Sequence, residues 1–333
     1  MPCGNTTLMT TAKDMALLRV STMLFLLLVL VLGLFGNSFI LYIYTRKLRM
    51  NIFGFLVRLI AVIDLVGVAI AVPTTIVFLL TTSSGSLDVG NMCQVKTFTK
   101  HFSAGSSGLI FIIIAFQRYR KICKPHQRQM SDSLVKILCF SSIGVPLLTG
   151  IPILFFQGHT PICVEWGSKV VQIPICDFLS DKKGSVPSVL YSVFVGIELI
   201  AVTTTLIALY VFIAKALWMR SRSREAVVEP NSNRTSSAKD KTRAATLTFF
   251  ALTVVYLVSG APEIALTVCL SLVHVEEHSF WSYSKLIGLD IGVNLLYLNY
   301  AVNPFVYSLT SSLFRRECKR MFVSLVSERS GDS

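Results

Sequence analysis

Seven separate apolar runs, each long enough to cross a bilayer, constrain this chain more than any other feature. They fall at about 18–44, 53–80, 91–121, 134–157, 187–217, 242–272 and 281–309. A hydrocarbon core roughly 30 Å thick takes about 20 apolar residues in helical form. Lipid offers a bare backbone no hydrogen bonds, so such runs cross as helices. With 53% apolar and only 15% charged residues, the chain is no ordinary soluble domain. The expected fold is an all-α membrane protein, a seven-transmembrane helix bundle with a short amphipathic eighth helix. Residues 1–17 would form an extracellular N-terminus, 18–309 the bundle, and 310–333 the amphipathic helix and cytoplasmic tail. The first run is too long for the core of a removable signal peptide, and no small-residue cleavage site follows it, so it is expected to remain as an anchor.

The net charge of +13 could suggest a nucleic-acid partner, but its distribution excludes one. Arg46, Lys47, Arg49 and Arg58 flank the first two runs. Further basic clusters lie between Arg118 and Lys136, between Lys215 and Arg243, and beyond Arg315. The remainder (Lys13, Arg19, Lys96, Lys100, Lys169, Lys182, Lys183 and Lys285) belong to the opposite side. The positive-inside rule then puts the N-terminus outside and the C-terminus in the cytoplasm of a multi-pass plasma-membrane protein. Membrane lipid and an intracellular partner account for the basic surface. Asn5-Thr6-Thr7 is a glycosylation acceptor on the outer side, while Asn233-Arg234-Thr235 lies inside and should stay unmodified. Under this topology Cys3, Cys93, Cys163 and Cys176 face an oxidising exterior. A staple from the outer end of span three to the loop before span five is expected. Cys176, nearer span five, is the preferred partner of Cys93; Cys163 is the alternative and would otherwise pair with Cys3.

Polar residues within the spans are few and fall at helical spacing. In CQVKTFTKHFSAGSSGLIFIIIAFQRYRKICKP, from Cys93 to Pro125, Lys100 and Arg118 lie about five turns of 3.6 residues apart on one face, with Ser107 between them. A charge at membrane depth costs roughly 2.5–3.5 kcal/mol on insertion scales, so that face should look into the bundle. Taken alone, Arg118 and Lys121 would serve equally well as a positive flank that orients the helix. Span one carries Asn37, and span two carries Asp64, a carboxylate that needs a partner such as a sodium ion. Span four has two prolines and no tryptophan. Span five holds Glu198 near its middle and Tyr210 towards the cytoplasm. Pro262 in span six removes a backbone hydrogen bond, which suits either a static kink or a pivot. Asn299, Asn303 and Tyr307 form a stripe in span seven beside Pro304.

The segments between spans are also informative. The pieces CVEW and KVVQIPIC alternate around Gly167-Ser168 and predict a β-hairpin lid before span five. Met219 to Asp240, rich in Ser, Arg, Asn and Pro, reads as a solvated loop. After span seven, Phe314, Met321, Phe322 and Leu325 oppose Arg315, Arg316, Lys319 and Arg320. Such a helix lies along the inner leaflet, and Cys318 beside it is a palmitoylation candidate.

These residues, in order and one set per helix, resemble the rhodopsin-like (class A) family of G-protein-coupled receptors over nearly the whole chain. The marks are Asn37, Asp64 after Ile60-Ala61, Cys93 ahead of Arg118-Tyr119, Pro125, Tyr210, Pro262, Asn303-Pro304-Phe305-Val306-Tyr307 and Phe314. The resemblance implies that Arg118 engages a heterotrimeric G protein once span six swings outward, with Tyr210 and Tyr307 closing around the opened cavity. It also implies a sodium site at Asp64, Ser107, Asn299 and Asn303, and no other cofactor. The departures are specific. Gln117 replaces the usual acidic residue before the arginine, which removes a restraining ion pair and predicts raised basal signalling. Gly260 replaces a tryptophan in span six, Val202 a proline in span five. The transmission switch must therefore work differently, and a receptor fold that no longer couples is an alternative.

Lys100 stands where amine receptors carry an aspartate, and Tyr297 where opsins carry the retinal lysine; both ligand classes are disfavoured. Odorant-receptor signatures are absent. Lys100, with His101 beside it, would suit a peptide or a small acidic ligand. Glu198, Glu263 and Asp290 would either pair with Lys100 or read a basic side chain. An internal Lys–Glu pair holding helices together carries equal weight. With its hairpin lid, the chain is similar to neuropeptide-type receptors. Two other classes stay open: a transporter or channel of seven unlike spans, which would usually show internal repeats or interrupted helices lining a path, and an intramembrane enzyme, which would need a paired acid–base or metal constellation; the sequence shows neither mark.

Overall fold

The computed structural model describes residues 12–48, 51–83, 90–166, 169–179, 185–225, 233–272 and 281–331. Asn5 and Cys3 lie outside the described residues, as does the hairpin turn Gly167-Ser168.

Span one is Ala12–Tyr42, continued by a π-type turn over Ile43–Lys47. Span two runs Ile52–Val66, widens to a π-type turn over Gly67–Ala71, and resumes as Val72–Ser83. Span three is Met92–Cys123 and span four Asp132–Gly150, with a short turn at Ile153–Phe156. Spans five and six are Val186–Glu225 and Asn233–Leu272. Span seven has three pieces, Tyr283–Asn294, a 3-10 turn Leu295–Tyr297, and Leu298–Thr310; the eighth helix, Ser312–Gly331, follows. Among the described residues six helices are long and apolar enough to cross a membrane unbroken. The seventh crosses in pieces.

Local chemistry starts two of the helices. Asn51 caps span two by accepting from the Gly54 amide at 2.8 Å, and Ser131 caps span four by accepting from Leu134 at 3.2 Å. Past the spanning segment, spans five and six continue as helix through Arg-, Lys- and Ala-containing stretches. The solvated loop expected over 219–240 is thereby corrected: helix occupies all of it except 226–232, which lies outside the described residues. Arg, Lys, Glu and Ala favour helix, and a helix already nucleated in the bilayer needs only propagation to extend into water.

The bundle is apolar on its outside, as a lipid-facing surface must be. Phe35 is 74% exposed and Leu148 68%. Its interior holds two apolar clusters. One, on the side of the hairpin, gathers Leu26, Val68, Val72, Cys93, Tyr297 and Tyr300. The other, on the side of Arg118, gathers Ile60, Phe111, Ile114, Leu206, Phe249 and Tyr307.

The predicted hairpin is present. β1 (Gln157–Trp166) pairs antiparallel with β2 (Lys169–Phe178), with Gln157 opposite Phe178 and Trp166 opposite Lys169. A two-residue strand, β3 (Trp281–Ser282), joins the other edge of β1 in parallel, Val164 opposite Trp281. Cys176 on β2 is bonded to Cys93 at the start of span three, with Cα atoms 5.4 Å apart. Of the two partners weighed for Cys93, the bond goes to Cys176.

Small residues set how closely the helices approach. A Cβ on Gly36 would lie 2.3 Å from Pro304 Cγ, so span one meets the proline ring of span seven where Gly36 leaves no room for a side chain of its own. Gly36→Leu should therefore destabilise the bundle by about 1–3 kcal/mol through overpacking. Gly144→Leu, at a glycine with nothing within 4 Å of a Cβ, should have little effect. Thermal melting of the two purified variants in detergent checks the contrast.

Candidate functional site

On the hairpin side, the charged side chains that sequence pattern singled out separate into distinct arrangements. Lys100 Nζ of span three lies 2.6 Å from Glu263 Oε1 of span six, in a pair with side chains 15% and 23% exposed. Its ammonium also reaches the Val293 carbonyl of span seven at 3.5 Å. Spans three, six and seven therefore meet at one cation. Asp290 does not share it. Its carboxylate lies 3.4 Å from Arg19 Nε of span one, and Arg19 also donates to Thr82 of span two. Glu198 is on span five, half-buried, with Oε2 buried and unpartnered among the described residues. Of the three acids that could have met Lys100, only Glu263 does.

Of two other proposed pocket residues, His101 turns elsewhere, while Tyr297 stays within electrostatic reach of Lys100. His101 hydrogen-bonds through Nε2 to Thr149 Oγ1 of span four at 3.0 Å. Consecutive helical residues point about 100° apart, and here His101 faces span four while Lys100 faces spans six and seven. Tyr297, 2% exposed, hydrogen-bonds with Thr75 Oγ1 of span two at 2.8 Å. Arg19 and Thr75 escaped the sequence reading. A basic residue at the start of an apolar run looks like an ordinary interfacial flank, and nothing in the run itself reveals a carboxylate on span seven.

Midway through the bundle lies a second polar cluster. Asp64 Oδ2 accepts from Asn303 Nδ2. Asn37 Nδ2 donates to the Tyr300 carbonyl at 2.6 Å, and the Tyr300 hydroxyl hydrogen-bonds with Ser103 Oγ at 2.5 Å. Asp64 Oδ1, Ser107 Oγ, Ser106 Oγ and Asn299 Oδ1 are all buried without a partner among the described residues. A carboxylate, hydroxyls and an amide carbonyl are oxygen donors of the kind a hard cation takes.

Between this cluster and Arg118, Tyr256 of span six reaches across to span three. Its hydroxyl donates to the Ala104 carbonyl at 3.2 Å, and its ring meets Phe111 edge-on at 5.5 Å. Gly108 makes the room: a Cβ there would lie 2.5 Å from the Tyr256 hydroxyl and 3.1 Å from Val202 Cγ1. Val202, where the family pattern has proline, is thus part of a core centred on a tyrosine and a glycine. The sequence offered each residue but not their meeting.

At the other end Arg118 faces inward, 6% exposed, with its guanidinium 5.6 Å from the Phe249 ring centre. Among the described residues no carboxylate lies within ion-pair reach of it, and its Nε has no partner. Gln117, 3% exposed, leaves Oε1 unpartnered as well. Tyr119 packs outside this core, against Phe116 and Phe212. Tyr210 hydrogen-bonds with Thr253 of span six at 3.2 Å. Tyr307 sits instead between Tyr44 of span one and Phe314 of the eighth helix, at 6.1 and 6.2 Å. The two tyrosines are engaged separately. Pro262, partly buried, lies within the continuous helix of span six.

A bundle of this topology, with an inward arginine, a central carboxylate–amide pair and a disulfide from span three to a hairpin, defines a seven-helix membrane receptor. Residues 36–307 match the profile of the 7 transmembrane receptor (rhodopsin family), and the chain belongs to that family. It is a multi-pass membrane protein and a receptor, not an enzyme. It is similar to the Neuropeptide S receptor of Mus musculus, 21% identical over 297 residues, which cover 87% of this chain and 76% of that one. A shorter stretch of 87 residues is 34% identical to Olfactory receptor 4L1 of Homo sapiens, covering 26% of this chain and 27% of that receptor.

The Lys100–Glu263 pair can be weighed by stability. Glu263→Ala leaves a partly buried ammonium uncompensated and should cost about 1–3 kcal/mol, less than the loss for a fully buried pair. The double variant Lys100→Ala/Glu263→Ala should regain most of it. Melting of the purified single and double variants measures the difference.

Proposed function

We propose that this receptor sits in the plasma membrane with its N-terminus outside. It would bind an extracellular peptide or a small acidic molecule and activate a heterotrimeric G protein through outward motion of span six. The observation that carries this reading is the Lys100–Glu263 pair. It joins the helix disulfide-bonded to the lid to the helix that carries Pro262. A ligand carboxylate that competes for Lys100, or a ligand cation that competes for Glu263, releases span six from span three. The likeness to a Neuropeptide S receptor supports a peptide as the ligand. With that orientation Asn5 would carry a glycan, and Cys318, half-buried on the eighth helix, an acyl chain.

Asp64, Ser107, Asn299 and Asn303 would hold a sodium ion that favours the resting state, supported by the buried oxygens left without partners. At the cytoplasmic end, Arg118 is restrained by packing against Phe249 and by no ion pair among the described residues. The resting state is weakly held there, so ligand-free activity is high. Release of Tyr210 from Thr253 and of Tyr307 from Phe314 would let both turn towards the opened cavity.

Gln117→Glu should lower ligand-free nucleotide exchange on a G protein several-fold, by supplying a carboxylate beside Arg118. Replacing sodium with a bulky organic cation should raise that basal rate in the native chain and leave an Asp64→Asn variant unchanged. An unaltered basal rate in Gln117→Glu would remove the missing ion pair as the cause.

The ligand class is tested by screening peptide and small-acid libraries on cells that carry the receptor with a promiscuous G protein. Lys100→Ala should abolish the response to the ligand so found without lowering surface expression. A full response would take Lys100 out of the pocket.

A further inference from the structure

Spans three and five part near the Arg118 end to leave a cleft of about 370 Å³. Its walls are Tyr119, Ile122 and Cys123 of span three, and Phe212, Lys215, Ala216 and Met219 of span five, with Cys123 Sγ 3.7 Å from the Phe212 carbonyl. Three observations make it a lipid-facing groove and not part of the internal cavity. Arg118 points inward, so Tyr119, the next residue, is turned about 100° away from it. Phe212 and Met219 are 55% and 49% exposed. Phe116, 40% exposed, stacks on Tyr119 at 6.4 Å, extending an aromatic wall along the outside of the bundle.

The charged residue that lines the groove is a lysine. Lys215 is exposed, and among the described residues no carboxylate pairs with it. Lys121 and Lys124, both exposed, stand on either side of Ile122 and Cys123 of span three, with Asp132 within electrostatic reach of Lys121. On span five the sequence continues through Arg220, Arg222 and Arg224 before the first acid, Glu225. An apolar slot with a basic rim at one end fits an amphiphile whose tail is hydrocarbon and whose head is anionic. It does not fit a zwitterionic lipid better than any other smooth part of the bundle would.

We propose that this groove is a binding site for one anionic phospholipid. The acyl chain lies against Tyr119, Ile122, Phe212 and Ala216, and the headgroup phosphate meets Lys215. Given the orientation proposed above, the site opens to the cytoplasmic leaflet, where phosphatidylserine and phosphoinositides are concentrated. A lipid seated there packs on the outer surface of the same Tyr119–Phe212 contact, 6.1 Å between rings, that joins spans three and five behind Arg118.

Native mass spectrometry of the whole receptor in detergent, titrated with phosphatidylserine or phosphatidylcholine, tests the site without reference to orientation, ligand or coupling. The native chain should retain phosphatidylserine in preference to phosphatidylcholine. One lysine near a headgroup contributes about 1 kcal/mol, so Lys215→Ala should weaken the preference about fivefold. Lys215→Glu should abolish it. Ala216→Trp, which fills the groove, should remove the bound lipid while Lys215 remains. Equal retention of the two lipids by the native chain overturns the proposal. So does an undiminished preference in Lys215→Ala, because the anionic lipid would then be held elsewhere, for instance on the basic eighth helix.

Discussion

A polar group inside a bilayer has no water to fall back on, so it must find its partner on another helix. That requirement holds this bundle together. Asn37 reaches from span one to a span-seven carbonyl, Asn303 from span seven to Asp64 of span two, and Tyr297 from span seven to Thr75 of span two. The Lys100–Glu263 and Arg19–Asp290 pairs do the same with full charges, three to six and one to seven. Apolar packing alone cannot specify such an arrangement, because lipid tails solvate a leucine as well as another helix does. Directional pairs between named helices therefore choose which helices are neighbours and at what rotation.

The same requirement explains how much could be read beforehand. Hydrophobic length and the placement of basic residues depend on each run by itself, and the seven helices follow from them. The inward face of Lys100, Ser107 and Arg118 follows from spacing within one helix, and the hairpin from alternation within one loop. What could not be read depends on relations between helices. Asp290 was as good a partner for Lys100 as Glu263 until Arg19 took it. The meeting of Gly108 and Tyr256 needs the relative height of two helices, which no single run encodes. The extension of spans five and six beyond the membrane was hidden for a different reason. Charged, serine-containing stretches serve equally as helix and as loop, and only the helix already formed in the membrane decides between them.

The unpaired groups are as informative as the paired ones. Asp64 Oδ1, Ser107 Oγ, Asn299 Oδ1 and the Arg118 Nε lack hydrogen-bond partners among the described residues. A bundle that satisfied every buried polar atom would have a single resting arrangement. One that leaves several open near its centre and at one mouth keeps positions where an ion or a second protein can add a contact and shift the balance between states. The tyrosine–glycine core at Tyr256 works the other way, since it ties span six to span three.

The small sheet fixes which helices are free to take part. β1 begins where the turn after span four ends, β2 is bonded to span three through Cys176, and β3 runs without a break into Tyr283 of span seven. Three helices are thus anchored to one plate of backbone hydrogen bonds, like staves set in a common hoop. Span six meets that assembly through side chains, among them the Lys100–Glu263 pair and the Tyr256–Ala104 hydrogen bond, and can leave it without tearing a ladder. Any rearrangement that keeps the plate intact moves spans three, four and seven together and leaves relative motion to the helices outside it.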